Sequence, residues 1–432
     1  MQNHTDEGLV RGIRRWDLVA ITINGIIGAG IFGLPSKVYS LIGTYSIIAF
    51  VACALVVALI ILCFAEVGSR FDETGGPYLY AREAFNPAVA FEIGWLIWLV
   101  RITAFAANCN LLINYLGFFW NSATNSVWRA AIIVFVVAVL CVINLLGIRQ
   151  AAIVSNVFTI GKLAPIVLFC AAGLFFLNPH AFAFGPGPDT GAFSQSVLLL
   201  VYAFTGFEMA TIPAGEVREP QRNMPRALII ALFVVAVLYI LIQIVCVGTL
   251  PGLAQSQKPL ADAGSQFLGT AGGAIISAGA IISITGNLNI LLLTGSRLPF
   301  AMAEQKQLPA FLGNVHRRFF TPYVSILLTA GLMLFLTLKS SFVTALTISA
   351  IARLVTYAAT CLALPVFRRR RDTPPALFRL PGGTIIAILA LVLIVWLLLN
   401  SSLHEARDAA LAAAAGLVIY FAYWLYSRSR AS

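Results

Sequence analysis

A chain of 432 residues with 60% hydrophobic and only 10% charged side chains, at a mean hydropathy of +0.91, is not composed like a water-soluble domain, where about a quarter of residues are charged. Its net charge of +11 would suit a polyanion partner only if the bases formed a patch, and they do not. The histidines (His4, His180, His316, His404) stand in the tail or in loops at no ligand spacing, and the seven cysteines all fall inside apolar runs without a C-x-x-C pair. That pattern excludes a metal centre and a disulfide framework, and no cofactor is expected.

Residues 1–16 form a polar, basic tail whose first ten residues lack the apolar run of a cleavable signal, so the first apolar segment stays in the mature chain. Runs long enough to cross about 30 Å of hydrocarbon, about 20 residues each, then recur to the C-terminus. They are drawn at 17–43, 46–69, 88–118, 130–148, 152–177, 193–217, 227–250, 272–302, 322–338, 342–367, 382–400 and 408–427, leaving a short tail, 428–432. The expectation is an all-α membrane protein of twelve transmembrane helices. With an even number of spans, 20 of the 28 bases fall on one side, among them Arg70, Arg82, Arg149, Arg218, Arg222 and the run Arg368 to Arg371. The positive-inside rule makes that side, and both termini, cytoplasmic.

Most spans are plain Leu, Ile, Val, Ala and Phe. Span 1 differs: it reads NGIIGAGIFGLP from Asn24 to Pro35. Span 6 reads YAFTGFEMATIPAGE from Tyr202 to Glu216, with Gly206, Pro213 and Gly215 around Glu208. In lipid a backbone N–H or C=O cannot stay unpaired, so an interrupted helix is tolerated where it lines a cavity or a ligand completes its bonding. Matched interruptions in two halves of a chain point to a transporter site near the bilayer midplane. Their spacing implies a five-plus-five inverted repeat, residues 17–178 and 193–371, with spans 11 and 12 (382–427) outside it. Gly28-Ala29-Gly30-Ile31-Phe32-Gly33 is also a literal G-x-G-x-x-G, but no strand precedes it and the first acidic residue after it is Glu66, too far for a ribose ligand. Close packing of small residues is the other reading of these glycines.

Unwinding at Gly28, Ala29 and Gly30 would expose amides at the start of a half-helix, where the dipole favours a carboxylate. Unwinding of span 6 would free carbonyls at Tyr202, Ala203 and Thr205 for an ammonium. Glu208 is costly inside a span and therefore either functional or a buried brace bonded to span 1 backbone. Lys162 and Arg353 are likewise intramembrane bases, the latter with no evident partner.

Several strings resemble the amino acid–polyamine–organocation transporter superfamily, in particular bacterial amino acid permeases related to the L-type exchangers. They are the span 1 and span 6 motifs, AEVGSRF…TGGPYLYAREAF (Ala65 to Phe85), GEVREPQRNMPRAL (Gly215 to Leu228) and TGSRLPFAMAEQKQLP (Thr294 to Pro309). The resemblance implies a LeuT-type fold with broken helices 1 and 6, and an aromatic of span 6, Phe204 or Phe207, capping the substrate. It sets Lys162 where sodium-coupled relatives hold a sodium ion, which implies sodium-independent transport, proton-coupled or by exchange. It also gives neutral-substrate relatives a base at the level of Arg101, expected here to bond helix ends or Glu92.

Relatives with a disulfide-linked subunit carry a cysteine in the loop after span 3. The loop 118–129 has none, so no such subunit and a monomer are expected. Small neutral amino acids are the leading substrates, ahead of cationic amino acids or polyamines, with Asn287 and Asn289 as candidate pocket walls. Charges at Asp72, Glu73, Glu216, Arg218, Glu219, Arg222 and Arg226 could form an inner gate or simply a solvated basic face. A major-facilitator carrier would show a long central loop, a channel would show rings of charge, and an enzyme would show a catalytic set; none is evident, and nucleic acid is not an expected partner.

Overall fold

The computed structural model describes residues 13–73, 75–146, 162–212, 214, 217–319, 321–370, 372–401 and 403–429. Span 1 is two helices, α1 (Arg15–Ile26) and α2 (Ala29–Ile42), followed by α3 (Ser46–Gly68). A short helix, α4 (Pro77–Ala84), precedes α5 (Pro87–Leu116) and α6 (Ser126–Leu146). Next come α7 (Lys162–Phe176) and α8 (Thr190–Phe204). Residues 152–161 of the expected fifth span lie outside the described residues. The remaining helices are α9 (Pro220–Thr249), α10 (Pro259–Glu304), α11 (Tyr323–Lys339), α12 (Phe342–Arg369), α13 (Gly383–Leu399) and α14 (Leu403–Ser429).

Local chemistry sets these ends. Pro87 starts α5 behind Asn86, whose side chain accepts from Val89 N, and Asp189 and Ser341 cap α8 and α12 in the same way. At α10 the helix begins earlier than hydropathy suggests, at Pro259, and turns at Gly269 (φ 65°), where its ten-residue prelude joins the long apolar stretch. Span 6 is helical only to Phe204; Phe207–Thr211 is a separate 3₁₀ turn.

By length and composition, seven helical stretches among the described residues can cross a membrane, and four more are apolar but shorter (Lys162–Phe176, Tyr323–Lys339, Gly383–Leu399, Ala410–Tyr423). Their outer faces are themselves apolar: Val134 and Phe135 on α6, and Ile385, Ile388, Val392 and Val395 on α13, are exposed. No named strand occurs among the described residues; one isolated bridge joins Ile13 to Val217. The chain is therefore a multi-pass helical membrane protein.

Around the broken segments, α1 packs on α9, α2 on α8, and α3 on both α8 and α9. The long α5 lies against α10, α11 and α12, while α13 and α14 cover α3, α5 and α12 from outside. Arg70 reaches Pro374 O (2.9 Å) and Arg370 reaches Glu83 O (2.7 Å), next to Arg82, so these bases share one end of the bundle, the basic face. There Glu66 of α3 is gripped by both Nε and Nη2 of Arg368 (2.7 and 2.6 Å) and by Leu380 N (2.9 Å), which pins α3, α12 and the chain before α13 together.

Candidate substrate site

The two breaks touch. Gly206 has φ +109°, a conformation open to glycine, and a Cβ there would collide with the carbonyl of Gly25; a Cβ on Gly25 would come within 2.8 Å of the Gly206 oxygen. One turn further, Gly30 lets α2 approach α8 backbone to backbone, since a Cβ on it would lie 2.7 Å from Ala203 Cα. The glycines of span 1 are thus used both for unwinding and for close packing.

The two breaks create four helix ends, each with orphan backbone groups. At the C-terminal end of α1, Lys162 Nζ donates to Asn24 O (2.8 Å) and Ile27 O (3.0 Å). The Tyr239 hydroxyl lies 3.2 Å from both Ile26 O and Ala203 O, bridging the two broken segments. On the far side of the second break, Glu208 Oε2 accepts from Gly206 N (2.9 Å) and from the Tyr357 hydroxyl (2.7 Å), while Oε1 accepts from Arg353 Nη1 (2.6 Å). A cation therefore sits on a carbonyl end and an anion on an amide end, both as the helix dipole favours.

The other two ends carry no side-chain charge of their own. Gly28 is the N-cap of α2, so the amides that follow it have no intrahelical acceptor. At the end of α8, Tyr202 O takes the Thr205 hydroxyl (2.7 Å) and Thr205 N (3.4 Å). Between these ends lies a cavity lined by Gly28, Ala29, Gly30, Asn108, Tyr202, Thr205, Asn287 and Arg353. It leaves about 20 Å³ to a water-sized sphere, space for about one water.

Two vestibules approach it. One, about 570 Å³, opens on the basic face and ends at Arg101 and Glu208. The other, about 380 Å³, lies at the opposite end with Lys37, Arg129 and Phe342 in its lining. The Arg353–Glu208 pair divides the first from the central cavity, as each partner lines one of the two. Phe342 borders the second and presses on α2 at Gly33, where a Cβ would meet its Cζ at 2.7 Å.

Of the residues singled out from sequence, Gly28, Ala29, Gly30, Tyr202 and Thr205 meet at the cavity, and Lys162 and Glu208 cap the ends beside it. Ala203 packs on Gly30, with its carbonyl near Tyr239. Phe204 and Phe207 do not line the cavity: Phe204 packs on Phe50 and Tyr239, and Phe207 on Phe64 and Tyr357. Asn287 reaches Asn108 Oδ1 (3.0 Å), whose amide in turn donates to the Tyr202 hydroxyl (2.7 Å), whereas Asn289 bonds Asn144 (3.1 Å) away from the cavity.

Two expectations change. Arg101 faces Glu208 Oε1 at 3.9 Å rather than Glu92, whose carboxylate oxygens are buried without a hydrogen-bond partner within the protein. Glu208 is braced by Arg353, Tyr357 and its own turn, not by span 1 backbone. Among the loop charges considered for a gate, Arg222 pairs with Glu219 (3.5 Å) on one exposed turn, and Glu216 lies outside the described residues.

The family model described as amino acid permease matches residues 13–422. The chain belongs to the amino acid permease family. It is similar to the serine/threonine exchanger SteT of Bacillus subtilis (strain 168), 29% identical over 99% of this chain and 100% of that protein. It is also similar to the methylthioribose transporter of the same organism, 28% identical over 98% and 94%, and to the mouse b(0,+)-type amino acid transporter 1, 27% identical over 97% and 88%. This permease is accordingly a membrane transporter and not an enzyme. Sequence reasoning missed Tyr357 and Asn108, and gave Arg353 no partner. A signal was present for the first: Arg353 and Tyr357 are four apart on α12, hence on one face of a helix, and that face meets Glu208 of span 6.

Proposed function

We propose that this permease moves α-amino acids across the cell membrane by alternating access, with twelve transmembrane helices in a LeuT-type five-plus-five arrangement and both termini cytoplasmic. The carrying observation is the division of labour at the breaks: the protein's own charges occupy the end of α1 and the turn at Gly206, leaving the amides of α2 and the carbonyl end of α8. Amides suit a carboxylate and carbonyls suit an ammonium, so the remaining pair fits a zwitterion. Phe342 on one side and the Arg353–Glu208 pair on the other are the partitions whose alternate opening would carry substrate through.

Transport is sodium-independent in this proposal, because the Lys162 ammonium holds the span 1 carbonyls that a sodium ion would need. Proton coupling and exchange are both compatible with this arrangement, and a monomer suffices for the path described. Lys162, Arg101 and Arg353 stand around the breaks against one carboxylate among the described residues, Glu208, a surplus of positive charge that disfavours cationic amino acids and polyamines. Asn108, Asn287 and Tyr202 add neutral polar walls, which favours small neutral side chains.

Uptake of labelled amino acids by proteoliposomes tests this, run with and without a proton gradient, with and without sodium, and with amino acid preloaded inside. Uptake of a small neutral amino acid unaffected by sodium is expected. Uptake of no amino acid, with methylthioribose taken up instead, would end the zwitterion reading, since that sugar has neither charge. Sodium dependence would end the role given to Lys162.

A further inference from the structure

Among the described residues Arg101 is the largest fully buried side chain, at 1% exposure, yet its Nε and Nη1 make no hydrogen bond within the protein. Its nearest carboxylate oxygen, Glu208 Oε1, is 3.9 Å away and already receives Arg353 at 2.6 Å, so it does not satisfy the Arg101 guanidinium. A buried guanidinium left unbonded is costly, and such a group calls for an explanation. Its surroundings supply one. Arg101 faces the vestibule of about 570 Å³ on the basic face, together with Arg297 of α10.

Arg297 spends Nη1 on Ser296 Oγ (2.8 Å) and Leu293 O (3.2 Å), while its buried Nη2 is also unbonded within the protein. The vestibule thus has two arginines with donors to spare, and its one deep carboxylate is committed elsewhere. Glu73 and Arg82 belong to its exposed rim, where Arg82 also pairs with Glu83 at 3.0 Å. Between rim and floor the walls are apolar: Ile97, Leu293, Leu298 and Met302.

We propose that this vestibule is a second binding site, separate from the two breaks, for a small organic carboxylate whose charged end is received by Arg101 and Arg297 and whose apolar body lies along Ile97 and Leu298. A guanidinium with free N–H donors matches a carboxylate in both charge and hydrogen bonding. A bare inorganic anion would meet the same arginines but leave the apolar walls and most of the volume unused. The site needs no ammonium receptor, so its ligands extend beyond amino acids to acids without an amino group.

The test is calorimetric titration of the purified full-length protein in lipid nanodiscs with isovalerate, its neutral analogue isovaleramide, and chloride. Isovalerate is expected to bind, isovaleramide to bind at least tenfold more weakly, and Arg101→Gln to weaken isovalerate roughly tenfold or more while Arg101→Lys retains part of the affinity. Ile97→Trp, which fills the vestibule without touching either arginine's charge, should abolish binding. Arg297→Gln should weaken it less than Arg101→Gln. Should Arg101→Gln fail to give a monodisperse protein, Ile97→Trp and Arg297→Gln carry the test. Isovalerate binding that survives these variants belongs to the amides of α2 and overturns the proposal. So do equal binding of isovaleramide, Arg101-dependent binding of chloride alone, and no binding at all. Because the ligand lacks an ammonium and no uptake is measured, this result is independent of whether zwitterions are transported.

Discussion

The breaks in spans 1 and 6 meet at Gly25 and Gly206 but are finished by opposite chemistry. On span 1 the cut end that needs a partner is made of carbonyls, and a lysine from α7 supplies the cation. On span 6 it is an amide, and Glu208 two residues along supplies the anion, itself held by Arg353 and Tyr357 from α12. The first cap is one side chain reaching across from a neighbouring helix; the second is a network. The comparison teaches that one cut end is completed by a single cation while the other needs an anion that itself needs partners. It also predicts unequal fragility, since deleting one member of a network leaves the other members' charges buried.

The largest effect should come from the point where the breaks touch. Gly206→Ala forces a side chain into a positive-φ conformation and against the Gly25 backbone, neither of which can move without separating the segments. Loss of folded protein, read by size-exclusion profile and thermal unfolding in detergent, is expected. Gly28→Ala is the control that sharpens it: its Cβ would meet only the Asn287 amide end, at 2.5 Å, which can rotate away, so the protein should fold while substrate affinity falls. Equal tolerance of both would show that the contact at Gly206 is dispensable.

Next is the network. Glu208→Gln leaves Arg353 buried, 5% exposed, without the carboxylate it pairs with among the described residues. Breaking a buried pair from one side costs about 3–5 kcal/mol. The double variant Glu208→Gln with Arg353→Gln should recover part of that, because it removes the stranded charge as well. A thermal-unfolding cycle over the four proteins measures the coupling, and strict additivity would mean that Glu208 and Arg353 do not depend on each other.

The contrast with Glu66 explains how much could be read in advance. Both carboxylates are buried and both meet arginines from α12, but Glu66 receives Arg368 through two nitrogens and Leu380 N besides, and ties three segments at the basic face. Sequence marked Glu208 through its position in a glycine-broken span and left Glu66 as an ordinary member of a family motif. The helices themselves, the break positions and the residues Gly28 to Gly30, Tyr202 and Thr205 were legible, because hydropathy and glycine placement act locally. The partners were not: Arg353, Tyr357, Tyr239 and Asn108 act from 36 residues (Tyr239 to Ala203) to 213 residues away (Tyr239 to Ile26). Which face of α8 meets the cavity is also a tertiary fact, and it turned Phe204 the other way.

The simpler cap should be the more forgiving. Lys162→Ala removes the donor for Asn24 O and Ile27 O and costs on the order of 1–3 kcal/mol for carbonyls left buried without it. Substrate binding should persist, because the amides of α2 and the end of α8 are untouched. What should disappear is coupling: uptake driven by a proton gradient is expected to fall while binding measured by calorimetry stays within a few-fold. Transport unchanged in rate and in its response to the gradient would make Lys162 a brace alone.

The smallest effect separates the cavity from its support. Phe204 is adjacent to the second break but fully buried, edge-on to Tyr239 (5.1 Å between ring centres) and further from Phe50 (6.5 Å). Phe204→Leu keeps an apolar group of similar reach and gives up ring contacts worth about 0.5–1.5 kcal/mol. The unfolding temperature should drop slightly, while the concentration for half-maximal uptake should not move, because the ring touches the hydroxyl-bearing neighbour of the cavity and not the cavity. If affinity falls with little change in stability, Phe204 must swing into the path in another conformation, and the aromatic that caps the substrate would be found in a state of span 6 different from the one seen around Thr205 and Gly206.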